Sequence, residues 1–210
     1  IVGIALGVWS ALRFQKFEDH FTLIISVLGM SVPSFFAGIL IAWLFGFVLH
    51  DYTGLEMTGS LYIVDPFDGM QIQWKNLILP AFTLGIRPLS VIVQLTRSSM
   101  LEVMAMDYIR TARAKGVHRL KVIFKHALKN ALIPVVTYVG PMVAYILTGS
   151  MVVENIFTIG GLGTEFVTSI VNRDYTMIMA ITIFLAVLMV VANLLTDIAY
   201  KLIDPRITFE

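Results

Sequence analysis

Long stretches without a charged residue are the feature that most constrains this chain. Three of them are longer than the core helices of soluble domains, and they cover residues 21–49, 131–153 and 175–196. A helix needs roughly 20 apolar residues to cross a hydrocarbon core about 30 Å thick. Only helices or closed barrels satisfy their backbone polar groups in lipid, and these runs are too long for barrel strands. We therefore predict three membrane-spanning helices.

Two more apolar segments are predicted to belong to the membrane. Residues 76–96 carry one charge, Arg87, whose insertion at a helix centre costs roughly 2.5–3.5 kcal/mol, so we predict a fourth span. Residues 1–12 are apolar, but a helix of that length reaches only about 18 Å. We expect them to end a fifth span that begins before this sequence. The predicted fold class is all-α, a polytopic transmembrane helical bundle that forms one domain over residues 1–210.

Composition argues against several other classes of protein. The chain is 58% hydrophobic and 14% charged, whereas soluble domains are about 45–50% apolar and about 25% charged. Its 15 basic and 14 acidic residues nearly cancel, so there is no overall basic excess for nucleic acid. Cysteine is absent, and the four histidines form no His-Glu-x-x-His pattern. We therefore predict neither a metal site nor a catalytic residue.

The distribution of charge predicts which loops face the cytoplasm. Residues 97–129 hold eight basic side chains against two acidic ones, whereas residues 50–75 hold one base and four acids. Cytoplasmic loops carry the excess of Lys and Arg. We therefore place 97–129 and the C-terminus inside, and loops 50–75 and 154–174 outside. Aromatic residues of loop 50–75 are expected either to anchor at the membrane interface or to contact a partner; they are Tyr52, Tyr62, Phe67 and Trp74.

The basic inner loop has the periodicity of two short helices. Its first half carries an apolar stripe at helical spacing, made of Leu101, Met104, Ala105, Tyr108 and Ala112. Gly116 follows, where a left-handed residue commonly ends a helix. Its second half carries another apolar stripe with three lysines opposite; the stripe is Leu120, Phe124, Ala127, Leu128 and Ala131, and the lysines are Lys121, Lys125 and Lys129. These patterns fit an interfacial helix on lipid, solvated ends of two spans, or a docking element for a soluble partner.

This loop resembles the signature loop of bacterial ABC importer permeases. The similarity covers residues 107–116, DYIRTARAKG, and 126–134, HALKNALIP. The general motif of that family reads Glu-Ala-Ala, three residues, then Gly; here Arg110, Thr111 and Ala112 take the first three places. The missing glutamate, and a longer stretch before the final proline, resemble the peptide and nickel branch. Further similar segments are residues 76–85, 95–102, 153–154, 161–163, 173–175 and 204–206.

The resemblance implies a type I ABC importer transmembrane domain, with about five spans of a six-span permease subunit, in a bacterial or archaeal inner cell membrane. It implies import of dipeptides or oligopeptides, while nickel or metal chelates, opines and oligosaccharides are other cargoes of the branch. The implied partners are a second permease subunit, two cytoplasmic ATPase subunits, an extracytoplasmic solute-binding protein and membrane lipid. The chain has no Gly-x-x-x-x-Gly-Lys phosphate loop. ATP is therefore expected on the partner subunits, and the permease needs no cofactor of its own.

The resemblance also makes residues 97–130 a cytoplasmic coupling loop. The residues it implies for ATPase coupling are Asp107, Tyr108, Arg110, Thr111, Ala112, Arg113, Ala114, Lys115 and Gly116. Arg87 and Pro134 are candidates for the pathway or gate; the alternatives are pairing or interface contact for Arg87, and ordinary membrane packing for Pro134. Two other functions stay open from the residues themselves. An ion-coupled carrier or channel would need carboxylates within its spans, and a membrane scaffold would transport nothing.

Overall fold

The computed structural model describes residues 1–65, 69–147 and 149–203, and these are mostly helical. Phe67 and the segment 204–206 lie outside the described residues. In chain order the α-helices are α1 (Val2–Leu12), α2 (Phe17–Ser31), α3 (Ser34–Trp43), α4 (His50–Thr53), α5 (Ile78–Ala105), α6 (Asp107–Ala114), α7 (Arg119–Lys121), α8 (Leu128–Ala131), α9 (Ile133–Leu147), α10 (Met151–Phe157), α11 (Leu162–Val171) and α12 (Tyr175–Ile203).

Besides the α-helices, the described structure contains two π-helical turns, one 3₁₀ turn and one β-hairpin. Leu44–Val48 and Val122–Ala127 form π-helical turns, and Trp74–Leu77 forms a 3₁₀ turn that leads into α5. Strands β1 (Tyr62–Asp65) and β2 (Gly69–Ile72) pair antiparallel, with Tyr62 opposite Ile72 and Ile63 opposite Gln71. The hairpin lies within the loop predicted to face outside.

The helix lengths agree with a polytopic membrane protein. Among the described residues, Trp74–Ala105 and Tyr175–Ile198 are each long and apolar enough to cross a membrane alone. Two bent pairs qualify if each counts as one span: Phe17–Ser31 with Ser34–Val48, and Arg119–Ala131 with Ile133–Leu147. Helix α1 is apolar but shorter, as predicted. The described part of the chain thus offers up to four spans, and α1 is the fifth apolar segment of the prediction.

Two of the uncharged runs are not continuous helices. The run 21–49 breaks between α2 and α3 at Pro33, because proline has no N–H and disfavours helix in the residue before it. The run 131–153 breaks between α9 and α10, where Gly149 adopts a left-handed φ of 80°. Ser150 then caps α10 by accepting a hydrogen bond from the Val153 N–H.

The chain divides into two compact units. The first comprises Ile1–Ser31, Pro88–Val143 and the described residues from Val190 onward. Its core lies between α1, the end of α5, α6 and the helices after Gly116, and it is built from Val8, Ala11, Met100, Val103, Ile109, Val122, Ile123, Ala127 and Ala131. This unit contains the whole basic segment 97–129 that was predicted to be cytoplasmic.

The second unit comprises Val32–Arg87 and Ala144–Met189. Helix α10 packs against α3 and α11, and the buried core residues are Ile41, Ala42, Leu79, Val153 and Phe157. This unit contains both loops that were predicted to face outside, 50–75 and 154–174. The division therefore groups the loops in the same way as the charge distribution.

Candidate functional site

Helix α6 stands apart from the long helix before it because the backbone turns at Met106, which is extended with φ −68° and ψ 149°. The helix ends in a Schellman motif around Gly116, whose φ is 74°. The Gly116 N–H donates to the Arg113 carbonyl at 3.0 Å, and the Val117 N–H donates to the Ala112 carbonyl at 3.2 Å. The predicted left-handed helix stop at Gly116 is thus confirmed.

One side of α6 is anchored in the core of the first unit. Ile109 is fully buried, and Ala112 is partly buried against the same cluster. Ala105 and Tyr108, which belong to the predicted apolar stripe, are exposed in this chain. The extended Met106 interrupts the helix and resets its phase, so that the buried position moves from Tyr108 to Ile109.

The other side of α6 is exposed and polar. Seven of the nine residues implied for ATPase coupling have exposed side chains; they are Asp107, Tyr108, Arg110, Thr111, Arg113, Ala114 and Lys115. Arg110 lies 3.4 Å from the Asp107 carboxylate, a fully solvated pair one helical turn apart. The structure therefore presents the predicted coupling residues together, on one surface whose charge is mainly positive.

Tyr108 connects α6 to the segment after Gly116. Its hydroxyl donates to the His126 carbonyl at 3.3 Å and accepts from the Asn130 side-chain nitrogen at 2.7 Å. Sequence reasoning placed Tyr108 in an apolar stripe and gave no role to Asn130. The resemblance covered both residues, but nothing in their spacing indicated that they touch.

The second predicted apolar stripe is buried in its last part and exposed in its first. Ala127 and Ala131 are buried, but Leu120 and Phe124 are 56% and 59% exposed, and Val122 and Ile123 are buried instead. The π-helical turn over Val122–Ala127 is the cause, because its wider turn adds a residue and shifts the helical phase. The three lysines Lys121, Lys125 and Lys129 are exposed as predicted.

A buried ion pair holds the end of α5, just before α6. Arg97 Nε donates to Asp19 Oδ1 at 2.6 Å, and Arg97 Nη2 donates to Asp19 Oδ2 at 2.8 Å. The carboxylate also accepts from the Ser10 hydroxyl at 2.5 Å and from the Gln15 N–H at 3.0 Å. The guanidinium lies 5.5 Å from the centre of the Phe14 ring. The charge count treated Arg97 only as a loop base, and Asp19 had no sequence signal.

The second unit contains a loop organised around one carboxylate. Glu154 Oε1 accepts from the N–H groups of Ser150 at 3.1 Å and Gly163 at 3.2 Å, and Oε2 accepts from Thr164 at 2.6 Å. Gly163 and Thr164 are in the first turn of α11, so Glu154 satisfies N–H groups that a helix leaves free and places negative charge at its N-terminus. A Cβ at Gly161 would lie 2.5 Å from the Glu154 carboxyl carbon.

The two candidate pathway residues stand at exposed positions. Arg87 is exposed on α5 immediately before Pro88, and Pro134 is exposed in the first turn of α9. A proline there costs no helical hydrogen bond, because the first N–H groups of a helix have no partner within it. Their roles in a pathway or gate stay predictions.

Comparisons with known proteins find one matching family and a set of similar permeases. Residues 3–209 match the family described as "Binding-protein-dependent transport system inner membrane component". The chain is 44% identical over 207 residues to the dipeptide transport system permease protein DppB of Bacillus subtilis, and 42% identical over 209 residues to the oligopeptide transport system permease protein AppB of the same organism. It is 37% identical over 222 residues to the di/tripeptide transport system permease protein DppB of Pseudomonas aeruginosa.

The similarity covers almost all of this chain but not all of its relatives. The three alignments include 99%, 100% and 99% of the chain, and they include 63%, 65% and 66% of the respective relatives. The chain thus spans slightly less than two thirds of the length of these permeases.

Proposed function

The chain belongs to the family of binding-protein-dependent transport system inner membrane components, and from this membership we propose that it is part of a permease subunit of an ATP-driven peptide importer. The subunit would form half of a pathway for dipeptides or oligopeptides across the inner membrane. Similarity along the whole chain to permeases named for dipeptide, oligopeptide and di/tripeptide transport supports the substrate class.

The proposal that the chain couples to cytoplasmic ATPase subunits rests on the exposed surface of α6. An eight-residue helix is held by Ile109 on one side, stopped by a left-handed Gly116, and open to a partner on the other. Its exposed arginines can form charge-assisted hydrogen bonds with carboxylates. Because this helix follows α5 directly and contacts the segment that leads into α9, a force applied to it would reach two membrane helices.

The same proposal assigns a different role to each subunit of the transporter. ATP would bind and react on the partner subunits, since this chain has no phosphate-binding loop with its lysine. The second permease would complete the pathway, and a solute-binding protein would deliver peptide to the outer side, where we place loops 50–75 and 154–174. The grouping of loops 50–75 and 154–174 in one compact unit supports this orientation.

An ion-coupled carrier is the less favoured function on one specific observation. Such a carrier uses membrane carboxylates that gain and lose a proton or bind a cation. Asp19 is a buried carboxylate of the first unit, and it is occupied by a two-point contact with Arg97 and by two further donors. This arrangement suits a permanent structural charge and not a titrating one.

Reconstitution tests the proposal directly. The full-length subunit would be purified in mild detergent with its second permease and ATPase subunits, placed in liposomes, and given the solute-binding protein encoded beside it. We expect uptake of a labelled dipeptide or oligopeptide that requires ATP and the binding protein. Uptake driven by an ion gradient without nucleotide, or a subunit that retains no ATPase, would contradict the proposal.

A further inference from the structure

The first unit contains an open cleft between α6 and the segment that follows Gly116. Its volume is about 400 Å³, and its lining residues are Met104, Arg113, Val117, Arg119, Val122 and Ile123. The cleft lies beside the polar surface of α6 but uses residues on both sides of the Gly116 turn. Val117, Arg119, Val122 and Ile123 belong to the coupling loop 97–130 but not to the nine residues for which the resemblance implies ATPase coupling.

The lining has two chemically different parts. Val122 and Ile123 are each 2% exposed and form an apolar floor, while Arg113 and Arg119 are exposed at the rim. Within the described residues, no carboxylate lies within 4 Å of either guanidinium, and the recorded contact of Arg113 is with the Met104 sulfur at 3.6 Å. Two guanidiniums above an aliphatic floor suit a carboxylate carried on a short aliphatic stem.

We propose that this cleft receives an acidic side chain, Glu or Asp, from the cytoplasmic ATPase subunit, an inference that rests on the proposed function. The charge of the surroundings is complementary to such a partner, because segment 97–129 holds eight basic residues and two acidic ones. Most of the exposed residues of α6 are polar, among them Arg110, Thr111 and Lys115. Polar neighbours of this kind suit a protein partner better than the hydrocarbon of a lipid.

Through this cleft, one side chain of the ATPase would contact both α6 and α7. A carboxylate bound by Arg113 and Arg119 joins the end of α6 to the start of α7 across the Gly116 turn. Met104 connects the same cleft to α5, and Ile123 connects it to the π-helical turn before α8. Such a contact contributes to coupling if the carboxylate is bound with different free energy in the two nucleotide states of the ATPase.

Charge reversal in the assembled transporter tests the proposal. The variants are Arg113→Glu and Arg119→Glu, and the control is Lys16→Glu, an exposed base between α1 and α2 that lies outside the coupling loop and does not line the cleft. Removal of one partner from an interfacial charge pair typically weakens binding by at least about tenfold. We expect both cleft variants to lose ATPase subunits at least about tenfold faster in nanodiscs, and the control to change retention less than about twofold.

Crosslinking identifies the occupant. A photoreactive amino acid in place of Val117 should capture an ATPase peptide that contains Glu or Asp, and reversal of that acid to Arg should restore retention in Arg119→Glu. The milder variants Arg113→Gln and Arg119→Gln repeat the measurement if the reversals fail to insert.

Three results would overturn the proposal. Unchanged ATPase retention in both Glu variants, with a wild-type complex that is intact, would refute the cleft alone. A loss that appears in nanodiscs with phosphatidylglycerol but not in phosphatidylcholine alone would make an anionic lipid headgroup the occupant. A wild-type subunit that retains no ATPase under any condition would refute the proposed function together with the cleft.

Discussion

Arg97 makes a two-point hydrogen-bonded ion pair with Asp19, a residue 78 positions earlier in the chain. The Asp19 side chain is 2% exposed and the Arg97 side chain 17%. Through this pair the first turn of α2 is fixed to the last turns of α5, which lead directly into α6. The position of the candidate coupling surface therefore depends on an interaction that neither segment could make alone.

The first prediction concerns this pair. Asp19→Asn or Arg97→Gln leaves the other charge without its partner, and because Arg97 is only partly buried we expect a loss below the roughly 3–5 kcal/mol that is typical of a fully buried pair. We expect each variant to lower the unfolding temperature of the purified complex by several degrees, with a double variant that is less destabilised than the sum of the two. The control is Glu18→Gln, because the Arg13–Glu18 pair is 3.6 Å long and more exposed. Equal effects of Asp19→Asn and Glu18→Gln would contradict this account.

The second prediction concerns the Gly116 turn. Gly116→Ala should cost about 1–2 kcal/mol, because an L side chain is strained at φ 74°, although its Cβ would meet nothing within 4 Å. Gly116→Pro and Ala112→Asp should abolish peptide-stimulated ATPase activity while membrane insertion is kept. The first removes the N–H that bonds to the Arg113 carbonyl, and the second places a charge against the core.

The matched control for Gly116 is Gly85→Ala in α5. A Cβ there also meets nothing within 4 Å, but Gly85 is inside a helix and its φ is not left-handed. Alanine at such a position is neutral or favours the helix by up to about 1 kcal/mol. ATPase stimulation that survives in Gly116→Pro, or is lost equally in Gly85→Ala, would show that the turn is not the coupling element.

The sequence predicts the helices of the basic loop and their division at Gly116, because helix periodicity and the glycine stop are local properties. It does not predict which residues are buried. Met106 is extended and Val122–Ala127 is a π-helical turn, and each shifts the phase of the helix that follows. Such shifts are decided by packing against α1 and α5, which spacing within the loop does not report.

The third prediction tests that shift in phase. Ile123→Ala removes a buried side chain of the first core and should cost about 2–5 kcal/mol. Phe124→Ala removes a larger side chain that is 59% exposed, so we expect less than about 1 kcal/mol. The measurement is thermal unfolding of the complex in one detergent. A larger loss from Phe124→Ala than from Ile123→Ala would contradict the burial that the π-helical turn gives to Ile123.

The fourth prediction concerns the hydrogen bond that the Asn130 side chain donates to the Tyr108 hydroxyl. Tyr108→Phe removes the hydroxyl that contacts both Asn130 and the His126 carbonyl, so α6 should be held less firmly against the following segment. We expect little change in unfolding temperature, since the site is exposed, but a reduced peptide-stimulated ATPase rate. Asn130→Ala should have a similar effect, and the double variant should be no worse than either one. Fully additive losses would show that the two side chains act independently.

Long-range polar contacts are the part of the candidate site that the sequence does not reveal. In the sequence, Glu154 and the glycines at 161 and 163 are only points of resemblance to a family. Nothing in their spacing indicates that a carboxylate accepts hydrogen bonds from a helix that begins eight residues later. The same holds for Asp19 and Arg97, because the sequence between them does not indicate that these two residues form an ion pair.

The fifth prediction follows from the Glu154 loop. Glu154→Gln replaces one acceptor oxygen by an N–H₂ group that would face backbone donors, and loss of a charged hydrogen-bond acceptor typically costs about 1.5–3 kcal/mol. Gly161→Ala should have a comparable effect, because its Cβ would lie 2.5 Å from the carboxyl carbon. Both variants should make the segment 158–164 more sensitive to limited proteolysis and reduce uptake that depends on the solute-binding protein.

Glu165→Gln is the control, because Glu165 is exposed on α11 and its carboxylate forms no hydrogen bond or ion pair with the described residues. Proteolysis that is unchanged in Glu154→Gln, or accelerated equally in Glu165→Gln, would show that the carboxylate does not hold the loop.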